Sequence, residues 1–137
     1  MKAYTLIALV LAAVTNVANA DSFPSEKWNK QFAAEEVLFQ ALHVVDLGQT
    51  LDIKHHPDIQ ETNMSNGGSS DVIGHHPNDA KVVGWMITEA MVHFVVTDYL
   101  IRSDAPKWMV HGWEAVTIGV QAGVVHNNFS LGLRCKF

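Results

Sequence analysis

The chain has 137 residues, of which 48% are apolar and only 17% are charged, and its formal net charge is −5. This length corresponds to one domain, and the charged fraction is below the roughly 25% of an average soluble domain. The composition excludes a disordered tail, a collagen and a disulfide scaffold. No cluster of basic residues is present, so nucleic acid is not expected as a partner. The single cysteine, Cys135, can close no internal disulfide.

Residues 1–20 have the three parts of a secretory signal peptide. A lysine follows the first methionine, an apolar run covers residues 3–14, and the small residues Ala18 and Ala20 form an Ala-x-Ala end. The apolar run is shorter than the roughly 20 residues that span a bilayer. We therefore expect a signal peptide, with an uncleaved anchor as the alternative, in a protein exported by a bacterium or encoded by its phage.

Helical spacing of apolar residues predicts three helices in residues 21–137, which we expect to form a single all-α domain. The helices are predicted from about Ala33 to Ile53, from about Ala80 to Ile101 and from about Trp108 to Val125. A long loop at about residues 54–79 separates the first two. Asn78 or Asp79 can cap the second helix, and the pair Asn127-Asn128 is predicted to end the third.

The second and third predicted helices have the length of membrane spans. Over about twenty residues the second contains only two acids, Glu89 and Asp98, and the third contains only Glu114. Each acid costs about 2.5–3.5 kcal/mol at the bilayer centre, so neither helix is a clear span by itself. Tryptophans lie near the helix ends, as in an interfacial aromatic belt, whereas Lys and Arg are balanced and fix no orientation.

These features predict a three-helix bundle embedded in the bacterial inner membrane, with membrane lipid around it. A soluble bundle in the periplasm is the alternative. Because three helices enclose little volume, a homo-oligomer is also expected. The sequence contains no serine in a nucleophile context and no glycine-rich phosphate loop, and it assigns no reaction to the protein.

Polar residues form narrow stripes on the predicted helices. On the first helix they recur at spacings of four, three, three and four, and they are Glu36, Gln40, His43, Asp46 and Thr50. On the other helices the stripes are Glu89 with His93, and His111 with Glu114 and Gln121. A soluble helix normally has an apolar stripe and a broad polar face. The second and third helices reverse that pattern, so we expect them to bury polar stripes and to expose apolar faces to lipid or to a partner.

If the three stripes converge, six candidate metal ligands share one interior. They are His43, Asp46, Glu89, His93, His111 and Glu114. Imidazole and carboxylate groups suit a transition metal such as zinc or iron. Di-iron bundles use Glu-x-x-His pairs, which this chain does not have. The alternative is that Glu89 with His93, and His111 with Glu114, are structural pairs that satisfy each other by hydrogen bonding.

Four short elements of the chain carry a resemblance to a family. They are Asp46-Leu47-Gly48-Gln49-Thr50, Glu61-Thr62-Asn63, Gly74-His75-His76-Pro77 and Thr117-Ile118-Gly119. The sequence resembles a group of small uncharacterised membrane proteins of bacteria and their phages. These proteins share an Asp-x-x-x-Thr helix, a Glu-x-Asn-Pro element, a Gly-x-His-Pro element and a late helix with Thr-Ile-Gly.

The resemblance spans most of the chain after residue 20 but includes one departure. Met64 stands where the pattern has proline, and residues 64–72 look like an insertion, so the rigid turn of the pattern is loosened. The resemblance implies a membrane location and no particular reaction. It makes six residues candidates for a common structural or functional site: Asp46, Thr50, Glu61, Asn63, His76 and Pro77.

Three functions are therefore compatible with the sequence. The first is a small helical envelope or membrane protein with a polar His/Asp/Glu interior and a structural or interaction role. The second is a metal-binding protein or metal-dependent enzyme of the cell envelope. The third is a phage-encoded envelope-disrupting or exclusion protein.

Overall fold

A computed structural model describes residues 26–58, 74 and 78–135 and contains three long α-helices. They are α1 (Lys30–Thr50), α2 (Asp79–Arg102) and α3 (Lys107–Ser130), and a short 3-10 helix (Ile53–His55) follows α1. The described residues include no strand, which confirms the all-α class for this part of the chain. The predicted signal peptide and most of the predicted long loop lie outside the described residues.

Asparagine side chains define the beginnings of α1 and α2. Asn29 accepts hydrogen bonds from the backbone N–H groups of Gln31 and Phe32, so α1 begins at Lys30 and not near Ala33 as predicted. Asn78 caps α2 in the same way, as predicted, because its side chain accepts from the N–H of Lys81.

The predicted end of α3 is wrong. The helix continues through Asn127-Asn128 to Ser130, because Asn128 uses its side chain in a contact with α1 and leaves the helical backbone intact. Termination occurs at Gly132, whose φ of +91° is accessible to glycine at little cost. There the N–H of Leu133 bonds to the carbonyl of Asn128, which closes the end of the helix.

The apolar core is divided between the two ends of the bundle. One cluster joins Leu47 of α1 to Val82 and Met86 of α2. The other, at the opposite end of the bundle, consists of Phe32 of α1, Ile101 of α2 and Val110 of α3. Because Phe32 and Leu47 lie near the two ends of α1, the middle turns of α1 lie between the two apolar clusters.

Buried positions include many polar side chains. They are Glu36, His43, Gln49, Thr50, Asp52, His93, Thr97, Asp98 and Glu114. Large apolar side chains occupy the outer surface instead, and they include Val37, Leu38, Met91, Val92, Val95, Tyr99, Trp108, Val116 and Val120. Of the described helices, α2 alone is long and apolar enough to cross a membrane, by length and composition.

Candidate functional site

Three side chains, one from each helix, meet in the layer between the two apolar clusters. These side chains are Glu36 of α1, His93 of α2 and Glu114 of α3, which are 5%, 4% and 0% exposed. Nδ1 of His93 lies 3.0 Å from Oε2 of Glu36, and Nε2 of His93 lies 3.9 Å from Oε2 of Glu114. Their candidate ligand atoms all lie within 4.8 Å of one another. We call these three residues the Glu–His–Glu cluster.

Each glutamate of the Glu–His–Glu cluster is held by a polar neighbour on its Oε1 atom. Gln40 donates a hydrogen bond to Oε1 of Glu36 at 2.7 Å, and the Thr97 hydroxyl donates to Oε1 of Glu114 at 2.8 Å. The Oε2 atom of Glu114 is buried and has no hydrogen-bond partner. A buried carboxylate oxygen without a donor is energetically costly, so this atom is available to accept a hydrogen bond or to ligate a cation.

The imidazole ring of His93 is stacked between the aromatic rings of Phe39 and Trp113. Its centroid lies 3.5 Å from that of Phe39 and 5.3 Å from that of Trp113, with interplanar angles of 8° and 23°. Nε2 of His93 lies within hydrogen-bond distance, 2.9 Å, of the hydroxyl of Thr117, which also bonds to the backbone carbonyl of Trp113. This arrangement leaves Nδ1 facing Glu36.

A cavity of about 350 Å³ opens beside His93. Aromatic side chains of Phe39, Trp85 and Trp113 form much of its wall, and Glu89 also lines it. The indole nitrogen of Trp85 is buried and makes no hydrogen bond. A small molecule in this cavity would therefore meet a mainly apolar surface beside His93 of the Glu–His–Glu cluster.

The six predicted ligands are distributed over several places. His93 and Glu114 come together, Glu89 lines the adjacent cavity, and the other three lie elsewhere. Nε2 of His43 lies 2.8 Å from the backbone carbonyl of Met86. Asp46 accepts hydrogen bonds from Gln121 at 2.9 Å and Asn128 at 2.8 Å.

His111 does not form the alternative pair with Glu114. Its Nδ1 lies 2.8 Å from Oε2 of Glu35, because His111 is directed towards α1 whereas Glu114 is directed into the bundle and bonds to Thr97. The ring nitrogens of His93, for their part, bond to Glu36 and Thr117. The histidines His93 and His111 thus each form a hydrogen bond with a carboxylate of another helix, α1.

Two of the six motif residues taken from the family resemblance are described by the structure. Asp46 is held by α3, and Thr50 is buried at the end of α1. Glu61, Asn63, His76 and Pro77 lie outside the described residues. The common site implied by the resemblance therefore stays a prediction.

Sequence reasoning placed Glu36 in the polar stripe of the first helix but did not include it among the metal ligands. Its position at the head of the regular four-three-three-four stripe is the signal that could have selected it. Thr97 was missed altogether, although it continues the spacing of Glu89 and His93 by a further four residues.

Cys135 contributes no ligand to the cluster. Its thiol donates a hydrogen bond to the carbonyl of Val45 at 3.7 Å, in a different part of the molecule. Desolvation raises the pKa of this thiol above its ordinary value, so the group stays protonated at neutral pH and offers no thiolate.

No protein-family model matches the sequence, and no curated protein or solved structure is significantly similar to it. Function is therefore inferred from the geometry of the bundle and of its buried polar groups.

Proposed function

We propose that the protein is a small helical membrane protein of the bacterial envelope, with a polar interior and a structural or interaction role. The observation that carries this proposal is the distribution of exposed residues along the bundle. Lys30, Arg102 and Lys107 are exposed at one end, and Lys54 and Lys81 are exposed at the other. Between them the fully exposed residues of the three helices are apolar or uncharged, and the acids Glu35 and Glu89 are only partly exposed.

The uncharged surface forms a belt around the bundle. On α2 the exposed residues between 82 and 101 are Gly84, Thr88, Met91, Val92, Val95 and Tyr99. On α3 those between 108 and 123 are Trp108, Met109, Gly112, Ala115, Val116, Gly119, Val120 and Gly123. Twenty residues of helix measure about 30 Å, which equals the thickness of the hydrocarbon core of a bilayer. We call this surface the apolar belt.

A bundle with an apolar belt outside and polar side chains inside is more favourable in lipid than in water. Each Å² of apolar surface left in water costs about 25 cal/mol, whereas lipid tails solvate valine and methionine side chains without that cost. Acids and histidines within membrane helices face the bundle interior and pair there, as Glu36 and His93 do. A soluble periplasmic bundle is compatible with the same fold if other copies of the chain cover the belt.

Alkaline carbonate extraction of washed membranes tests the proposal. The full-length chain, expressed in a bacterium, is expected to stay in the membrane pellet while a soluble periplasmic protein in the same preparation is released. Release of the chain into the supernatant would overturn the membrane assignment and would favour the periplasmic assembly.

A further inference from the structure

We propose that Glu36, His93 and Glu114 bind one divalent transition-metal ion through one ring nitrogen of the histidine and one carboxylate oxygen of each glutamate, atoms that all lie within 4.8 Å of one another. The site goes beyond the membrane proposal and depends only on the packing of the three helices. A failure of either proposal therefore leaves the other intact.

The spacing of the first two ligand atoms fits a shared ion. Ligands that lie roughly 2.1 Å from a metal are separated by about 3.0–3.4 Å at octahedral to tetrahedral angles. Nδ1 of His93 and Oε2 of Glu36 are 3.0 Å apart. The third ligand atom, Oε2 of Glu114, is buried without a hydrogen-bond donor and lies 3.9 Å from Nε2, the other ring nitrogen of His93.

The remaining polar atoms of these side chains are already occupied by neighbours. Nε2 of His93 lies 2.9 Å from the hydroxyl oxygen of Thr117, and metal-bound histidines commonly donate their second N–H to such an oxygen. Gln40 and Thr97 donate to the Oε1 atoms of the two glutamates. These contacts hold Oε1 of each glutamate and leave both Oε2 atoms beside the imidazole of His93.

A divalent ion would balance the charge of the two glutamates. Among the described residues, no lysine or arginine pairs with Glu36 or Glu114. Without a metal, the two buried carboxylates must be neutralised by protons or by a protonated His93, because an uncompensated buried charge is costly. A divalent ion compensates both carboxylates without protons and gives Oε2 of Glu114 a positive partner.

The ligand set also limits the identity of the metal. One imidazole and two carboxylates suit Zn²⁺, Fe²⁺ or Mn²⁺ and do not favour the soft ions that prefer thiolates. Three protein ligands leave at least one coordination position free, as in catalytic metal sites. His93 also lines the 350 Å³ cavity, so the cavity lies directly beside the proposed site.

Zinc binding to the purified full-length chain tests the inference. The protein, solubilised in detergent and stripped with chelator, is titrated with Zn²⁺ by calorimetry, and bound metal is counted by mass spectrometry. We expect one tight site per chain and at least ten-fold weaker binding by E36Q and E114Q. E35Q is the matched control, because Glu35 also pairs with a histidine but lies outside the cluster, and it is expected to bind like the wild type.

Two further measurements keep the test independent of variant folding. The variant H55A/H56A removes the two histidines after α1, which contact Asp52 and lie outside the cluster, and is expected to retain the site. X-ray absorption of the zinc-loaded wild type is expected to show nitrogen and oxygen ligands that include one imidazole. Absence of tight Zn²⁺ binding by the wild type, equal binding by E114Q, or loss of the site in H55A/H56A would overturn the inference.

Discussion

Oε2 of Glu36 and Nδ1 of His93 lie 3.0 Å apart and connect α1 to α2 across 57 residues of sequence. Both side chains are almost completely buried, and they lie between two apolar clusters that close the bundle at its ends. The polar centre is therefore part of what sets the relative position of these helices.

Substitution of Glu36 or of His93 is expected to lower the free energy of unfolding of the bundle. The effects of the two substitutions are expected to be non-additive, because the side chains contact each other. E36Q replaces the charged acceptor by a neutral amide and H93Q removes the imidazole, and a hydrogen bond to a charged group contributes about 1.5–3 kcal/mol. A double-mutant cycle, measured by chemical denaturation in detergent with chelator present, should give a coupling energy of about 0.6–2 kcal/mol.

The matched control for this cycle is E36Q combined with H43Q, because His43 bonds to the carbonyl of Met86 and not to Glu36. These two changes are expected to add within about 0.5 kcal/mol. Additive losses for E36Q and H93Q as well would contradict the direct contact between Glu36 and His93.

Asn128 is expected to contribute to stability although its neighbour Asn127 does not. The side-chain amide of Asn128 donates to Asp46 at 2.8 Å and ties the end of α3 to α1. N128A should therefore lower the free energy of unfolding by about 1–3 kcal/mol, because one oxygen of a partly buried carboxylate loses its donor.

N127A is the matched control, since Asn127 is exposed and offers its backbone carbonyl to Ser130. Its effect on the free energy of unfolding should stay within about 0.5 kcal/mol. Equal effects of the two alanine variants would show that Asn128 does not hold Asp46.

Trp28 is expected to anchor the segment before α1. Its indole N–H donates to Asp98 at 2.9 Å, and its ring stacks on Phe94 at a centroid distance of 5.4 Å. W28F keeps an aromatic ring but removes the donor, and it should cost about 1–2 kcal/mol in thermal or chemical unfolding. Trp108 is 72% exposed, so W108F should be nearly neutral. A neutral W28F would contradict the hydrogen bond to Asp98.

A lysine within the apolar belt is expected to impair membrane insertion. Val95 is 56% exposed and lies in the belt on α2. V95K should add about 2.5–3.5 kcal/mol to the insertion free energy of a helix that already contains Glu89 and Asp98, so less protein should resist carbonate extraction. V95L is the control and should insert like the wild type. If V95K is fully retained, the belt does not face lipid.

The three-helix architecture could be predicted because apolar spacing and helix lengths are local properties of the sequence. The start of α2 was also predictable, since Asn78 has the local chemistry of an N-cap. The end of α3 was not, because Asn128 serves a tertiary contact with Asp46 that local turn chemistry does not reveal.

The composition of the site was predicted only in part. Helical periodicity places Glu114 and His111 near one another on α3, but the rotation of the helices decides which neighbour each one meets. His111 thus contacts Glu35, whereas Glu114 approaches His93 and bonds to Thr97. Such pairings depend on the offset between helices, which spacing within one helix does not specify.

The most direct test of the central claim is the environment of Val95 in liposomes. In a C135S background, a nitroxide label at Val95 should be readily accessible to oxygen and protected from water-soluble chromium oxalate, as is typical of a lipid-facing site. A label at Lys107, exposed at one end of the bundle, should show the opposite preference. Equal access of chromium oxalate to both positions would contradict a belt embedded in lipid.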